Sequence, residues 1–208
     1  MNAVFAAATF APALALGSFL NVVASRLPRG ASLVHPGSAC DGCGTEIHWY
    51  DNVPVVSYLM LRGRCRTCRT PIGWRHPAVE AVTAVLIASC VLAFGLTLEA
   101  AAAAVFAAAL VVITATDIER RIIPNRVVLP AAAVVVVLRL VDHPSIEWPL
   151  AGLAAAAFLL AAALAYPGGM GMGDVKLALL MGVALGRTVP VALFVGHELL
   201  GAYLSTLN

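Results

Sequence analysis

Gly168-Gly169-Met170-Gly171-Met172-Gly173-Asp174-Val175-Lys176 separates two long apolar runs in a chain otherwise dominated by alanine, valine and leucine. Glycines lead into one carboxylate and one ammonium at the edge of what reads as a lipid-spanning segment. An ionisable group at that depth is expensive and marks a functional site by default. The same residues allow a plainer reading, in which Asp174 opens a helix and meets the favourable end of its dipole. A second lone acid, Asp117, closes another apolar run and weighs against the plainer reading.

Composition excludes a soluble globular domain. Of 208 residues, 61% are hydrophobic and 12% charged, with a mean hydropathy of +0.92, which fits an all-α polytopic membrane protein. Residues 3–24 form the first apolar run. No basic residue precedes Arg26, so the run is expected to be a retained anchor with its N-terminus outside, not a cleaved signal. Further runs cover 78–96, 100–116, 127–141, 148–166, 175–186 and 189–205, about seven spans in all. Gly186-Arg187 divides the last two, and 175–186 is short for a crossing. Arg139 is expected to snorkel to an interface, where Trp148 and Tyr166 also belong.

With an outside N-terminus, the connections 25–77, 117–126 and 167–176 lie inside. They carry seven, three and one Lys or Arg, eleven of the thirteen in the chain. The positive-inside rule therefore places them on the cytoplasmic side of the inner membrane, and with them both Asp117 and Asp174. Two acids on different helices at one face can share a proton and a water. One, ionised, takes a proton from the attacking water. The other, protonated, hydrogen-bonds the scissile carbonyl, a split that proximity in a low-dielectric site favours. Amide hydrolysis then needs neither a covalent nucleophile nor a metal. Gly171 and Gly173, with Lys176 beyond, would let a substrate backbone approach and permit φ values barred to other residues. The alternative is two acids that never meet, one capping a helix and one paired with Arg120 or Arg121.

Residues 25–77 differ from the rest, with four cysteines, seven arginines and five prolines. An insert this small needs a staple. Cys40-Asp41-Gly42-Cys43 and Cys65-Arg66-Thr67-Cys68 are two C-x-x-C knuckles separated by 21 residues, a set that suits tetrahedral, structural Zn²⁺. A redox dithiol would use one such motif beside a βαβ unit, which is missing. Arg62, Arg64, Arg66 and Arg69 also raise a nucleic-acid ribbon. The positive-inside rule and membrane lipid headgroups account for them without nucleic acid. The expected domains are an anchor at 1–24, a four-cysteine zinc-binding insert at 25–77 and a membrane peptidase domain at 78–208.

Gly171-Met172-Gly173-Asp174, preceded by Thr116-Asp117-Ile118 and Ile123-Pro124-Asn125, resembles the GxGD aspartyl peptidases of the type IV prepilin peptidase group. Gly17-Ser18-Phe19-Leu20-Asn21-Val22-Val23 with Arg26-Leu27-Pro28 is similar to that family's opening. So are Asp51-Asn52-Val53-Pro54-Val55-Val56-Ser57-Tyr58 and Arg62-Gly63-Arg64-Cys65-Arg66-Thr67-Cys68. The resemblance runs in order from about residue 17 to 187. It implies a membrane aspartic peptidase that cleaves prepilin or pseudopilin leaders at the cytoplasmic face, with Asp117 and Asp174 catalytic. For members with the Cys-rich insert it also implies N-methylation of the new N-terminus by S-adenosylmethionine. Glu80, following Arg75-His76-Pro77, matches the family's Arg-aromatic-Pro…Glu pattern with His76 in the aromatic place. It is either a dipole-favoured helix-start acid or a contact for the substrate amine or methyl donor. Members of the family usually continue into an eighth span, and this sequence departs from that pattern, with Val195-Gly196-His197-Glu198-Leu199 setting two polar residues in an expected helix. A non-catalytic zinc-knuckle scaffold of a pilus or secretion apparatus is the competing function.

Overall fold

The computed structural model describes residues 1–166 and 171–192. Among these the secondary structure is helical, with only isolated β-bridges besides. The helices are α1 (Asn2–Arg26), α2 (Val56–Met60), α3 (Arg75–Phe94), α4 (Leu98–Arg120), α5 (Asn125–Asp142), α6 (Glu147–Ala165) and α7 (Met172–Leu185). The chain divides into two compact units, Met1–Val127 and Val128–Asn208, and each is described by itself.

In the first unit α1 and α3 run antiparallel. The Asn2 side chain donates to the Leu92 carbonyl at one end (3.3 Å), and Asn21 donates to that of His76 at the other (3.0 Å). Between them Gly17 meets α3 backbone to backbone. A Cβ on Gly17 would lie 2.7 Å from the Glu80 Cα and 3.1 Å from the Thr83 Cβ. Lipid is as apolar as leucine, so spans gain little by burying leucine and associate where small residues let them approach. The buried seam of α1 follows that rule, with Ala6, Ala13, Gly17, Leu20 and Ala24 on one face. Leu20 and Ala24 join Val111 and Val112 of α4 in a shared cluster. Gly95, at φ 72°, turns the chain from α3 to α4, and the Thr97 hydroxyl caps α4 by accepting from the Ala100 N–H (3.2 Å).

In the second unit α6 and α7 repeat the device. A Cβ on Gly182 would fall 2.5 Å from both the Ala151 carbonyl oxygen and the Gly152 Cα. The far end of this unit is polar. Arg139 donates to the Ala184 carbonyl (3.0 Å) and lies over the Trp148 ring at 4.7 Å, and Arg187 pairs with Glu147 (3.1 Å). The expected snorkelling of Arg139 thus resolves into a contact with the last turn of α7, where a cation is favoured.

Five helical stretches are long and apolar enough to cross a membrane: Asn2–Arg29, Arg75–Phe94, Leu98–Arg120, Glu147–Ala165 and Met172–Ala192. Their outward residues include Phe10, Phe19, Leu86, Leu92, Leu153 and Phe158, all exposed, as lipid-facing helices require. The chain is a membrane protein. α5 carries Arg126, Arg139 and Asp142 within its 18 residues and stands outside that set. The break expected at Gly186-Arg187 is where α7 ends, with Gly186 as its C-cap and a 3₁₀ turn at Gly186–Thr188 after it. Helical residues resume at 189–192 beyond the turn, and the apolar stretch Met172–Ala192 includes both sides of it. Gly186, at φ 57°, makes the bend, and a Cβ there would lie 2.8 Å from the Trp148 ring. The remainder of 189–205, with His197 and Glu198, lies outside the described residues, as do Gly168, Gly169 and Met170.

Gly17→Val should force α1 and α3 apart. Overpacking of this kind costs about 1–3 kcal/mol, which thermal unfolding in detergent reads as a lowered midpoint. Gly73→Ala, where nothing lies within 4 Å of an added Cβ, should leave the midpoint near wild type.

Candidate active and metal sites

The four insert cysteines converge. Their sulfurs all lie within 4.8 Å of one another, and Cys40 and Cys68 are 3.7 Å apart. Bonds of ~2.3 Å to a tetrahedral Zn²⁺ place sulfurs about 3.8 Å apart, so the cluster fits a closed four-sulfur site and can hold a metal such as zinc.

The two knuckles are built alike. The Cys40 N–H donates to the Thr45 carbonyl and the Cys65 N–H to that of Thr70, each at 2.9 Å. Ile47 N–H bonds the Ser38 carbonyl (2.8 Å) just as Ile72 bonds that of Gly63 (2.7 Å). Thr45 Oγ1 lies 3.3 Å from the Cys43 sulfur, and Thr70 Oγ1 lies 3.1 Å from that of Cys68. Hydrogen bonds from the Thr70 hydroxyl and N–H pull the Cys68 thiol down to about 6. The N–H groups of Cys68 and Thr67 lower Cys65. The N–H groups of Cys43 and Gly42 favour the Cys40 thiolate, yet the Cys65 and Cys68 sulfurs help push Cys40 up to about 11. A metal bound by the four sulfurs would hold them as thiolates, so its binding would release protons.

Asp51 links the second knuckle to the preceding loop. Arg66 donates to both carboxylate oxygens, through Nε at 2.7 Å and a terminal nitrogen at 2.5 Å. The bidentate guanidinium holds the Asp51 pKa below the usual carboxylate range. Arg66 also lies over the Tyr50 ring. The sequence offered no reason to single out this pair, because Asp51 and Arg66 are 15 residues apart in different motifs.

Glu80 has a role beyond either reading of it from sequence. It is buried, and its Oε2 accepts from the Val55 N–H at 2.8 Å. Val55 stands at φ 60°, a region strongly disfavoured for a β-branched residue. The neighbouring Ser57 hydroxyl accepts from the Val53 N–H (3.1 Å) and donates to the Tyr50 carbonyl (2.8 Å). The segment is thus over-determined by α3 and by its own turn, the condition under which a strained backbone persists.

The two aspartates occupy opposite kinds of helix end. Asp117 sits in the last turn of α4, exposed, where the dipole disfavours an anion. Among the described residues its carboxylate has no ion pair, so Arg120 and Arg121 do not neutralise it. Asp174 sits in the first turn of α7, half-buried, and its Oδ2 accepts from the Gly171 N–H at 3.1 Å. Gly171 adopts φ −81° and ψ 148°, open to any residue, so its φ does not demand glycine. A Cβ there would lie 3.4 Å from the Asp174 Oδ2, so glycine leaves that side of the carboxylate uncovered. Gly173 and Lys176 lie on α7 beside Asp174, both half-buried. Asp117 belongs to the first unit and Asp174 to the second.

Comparison with known proteins bears on both halves. Residues 12–94 match the Bacterial Peptidase A24 N-terminal domain, and residues 104–205 match the Type IV leader peptidase family. Three similar proteins are each named prepilin leader peptidase/N-methyltransferase. That of Bacillus subtilis is 36% identical over 193 residues, covering 91% of this chain and 77% of the relative. That of Neisseria gonorrhoeae is 32% identical, covering 88% and 75%. That of Myxococcus xanthus is 40% identical over 126 residues, covering 61% of this chain and 38% of the relative. No solved structure matches. With both family regions matched in order and more than two thirds of several relatives covered, the chain belongs to the type IV prepilin leader peptidase family.

Proposed function

We propose that the chain is an aspartic endopeptidase that cleaves prepilin or pseudopilin leaders at the cytoplasmic face of the inner membrane, and that it N-methylates the new N-terminus. The observation that carries the peptidase reading is Asp117. A carboxylate at the C-terminal end of an apolar helix is opposed by the dipole, and among the described residues no ion pair offsets it. Asp174 brings the second acid, with its helix-start hydrogen bond orienting the carboxylate. In this reading the acids meet at one membrane face. The ionised aspartate takes a proton as the water oxygen attacks the scissile carbonyl carbon. The protonated one donates to the carbonyl oxygen, and collapse breaks the C–N bond with a proton passing to the leaving amine.

Zn²⁺ is the metal we assign to Cys40, Cys43, Cys65 and Cys68, in a structural role because four protein ligands leave no open position. S-adenosylmethionine supplies, when bound, an electrophilic methyl group on a cationic sulfur. The buried Glu80 carboxylate and the strained segment it holds are the residues we assign to that half of the function, since an acid in that setting suits a cation. The 25–77 insert, with Glu80 just beyond it on α3, then serves methyl transfer, and the rest of 78–208 serves cleavage.

Asp117→Asn and Asp174→Asn should each slow cleavage of a prepilin peptide by the purified protein at least roughly a thousandfold, as groups acting as a unit do. Near wild-type turnover in either would remove the two-acid mechanism and favour the scaffold function. Gly173→Val should impair cleavage while metal content and folding persist; full activity in that protein would end the substrate-approach role of the glycine.

Elemental analysis should find one zinc per chain, with Cys65→Ser reducing it to a trace. A chelator should raise hydrogen exchange across 25–77 and spare most of α1, α3 and α4. Disulfide-paired cysteines without zinc would contradict the assignment.

A further inference from the structure

We infer that Arg62, Arg64 and Arg69 form a binding site for the phosphate of an anionic phospholipid headgroup. With Leu61 they line a half-open concavity of about 320 Å³ on the knuckle unit. Their charge is uncompensated. Arg66 pairs with Asp51 and Arg75 with Glu119, but among the described residues Arg62, Arg64 and Arg69 have no acidic partner. All three are exposed. Three guanidiniums around one hollow repel one another until an anion enters, and guanidinium matches phosphate through paired N–H donors.

The backbone points the same way. Arg69 stands at φ 61° in the second knuckle, at the place that Gly44 fills at φ 69° in the first. The left-handed conformation disfavours every L residue but suits glycine. The two knuckles share their hydrogen bonds, so glycine would serve at residue 69 as it does at 44. A local rule broken without a local gain marks a functional position, and the gain here is the third positive charge on the hollow.

The apolar surroundings select a lipid. Leu59 and Met60, next to Leu61, are 68% and 78% exposed, and Trp74, at the start of α3, is 71% exposed. Basic residues flanked by exposed apolar and aromatic side chains at the foot of a span form the pattern that sits at headgroup level. Anionic lipids concentrate in the leaflet where the positive-inside rule places this insert. A soluble phosphate would gain nothing from Leu59 and Met60.

The test reads lipid retention, not cleavage, so it is independent of the peptidase reading. The full chain is delipidated in detergent and titrated with short-chain phosphatidylglycerol, short-chain phosphatidylcholine or inorganic phosphate, and adducts are counted by native mass spectrometry. Phosphatidylglycerol should be retained at least roughly tenfold more tightly than phosphatidylcholine. The triple variant Arg62→Asn, Arg64→Gln, Arg69→Asn should weaken phosphatidylglycerol binding roughly a hundredfold at unchanged metal content, on the scale of one favourable charge per arginine. Arg69→Gly relaxes the backbone, so it should fold at least as well and still weaken binding about fivefold. Equal retention of the two lipids, or full retention by the triple variant, would overturn the site. Displacement of phosphatidylglycerol by an equal concentration of inorganic phosphate would assign the hollow to a soluble anion and overturn the lipid.

Discussion

Lipid gives helices no hydrophobic reward for meeting, so this fold depends on close approach at glycine. Gly17 brings the α1 backbone against the Cα of Glu80, and Gly182 brings α7 against Ala151 and Gly152 of α6. Dispersion gained over a narrow seam of small residues replaces the burial that would drive a soluble bundle. The Gly17 contact reaches further than two helices. It packs α3 at the residue whose buried carboxylate holds the Val55 N–H, so the geometry of a membrane seam is passed to a strained segment of the polar insert.

The insert has too few residues for a core and replaces it with directed bonds. Four sulfurs close its centre, Arg66 clamps Asp51 to the second knuckle, and Arg26 donates to the Ser32 and Gly37 carbonyls at its entry, both at 3.1 Å. Each of these interactions is strong only when geometry is held. The 25–77 insert should therefore lose its structure as a whole when the metal is withdrawn, as small metallo-domains do. Arg62, Arg64 and Arg69 contribute to none of these ion pairs, whereas the neighbouring Arg66 and Arg75 are satisfied within the protein.

The two aspartates stand at helix ends of opposite polarity. At the start of α7 an acid is favoured by dipole and by a backbone N–H, and Asp174 has both. At the end of α4 an acid is opposed, and Asp117 has no ion pair among the described residues to compensate. Structure alone would retain Asp174 and discard Asp117. Its presence is what the proposed shared proton explains.

Local composition and spacing by themselves determined the membrane class, the helical architecture and the four-cysteine site. Hydropathy over a span's length and the C-x-x-C interval are short-range properties, and the lipid or the metal enforces them. They also yielded the two acids, because a lone charge ending an apolar run is visible without a fold. The break at Gly186-Arg187 was legible as well, but not what fastens it, the pairing of Arg187 with Glu147 and the packing of Gly186 on Trp148. Neither the Glu80–Val55 bond, the Asp51–Arg66 clamp nor the arginine hollow was legible, since they join residues in separate motifs or set around one space charges with no acidic partner among the described residues. Only tertiary structure decided these, because a hydrogen bond or an ion pair depends on ångström-scale positions that no local periodicity encodes.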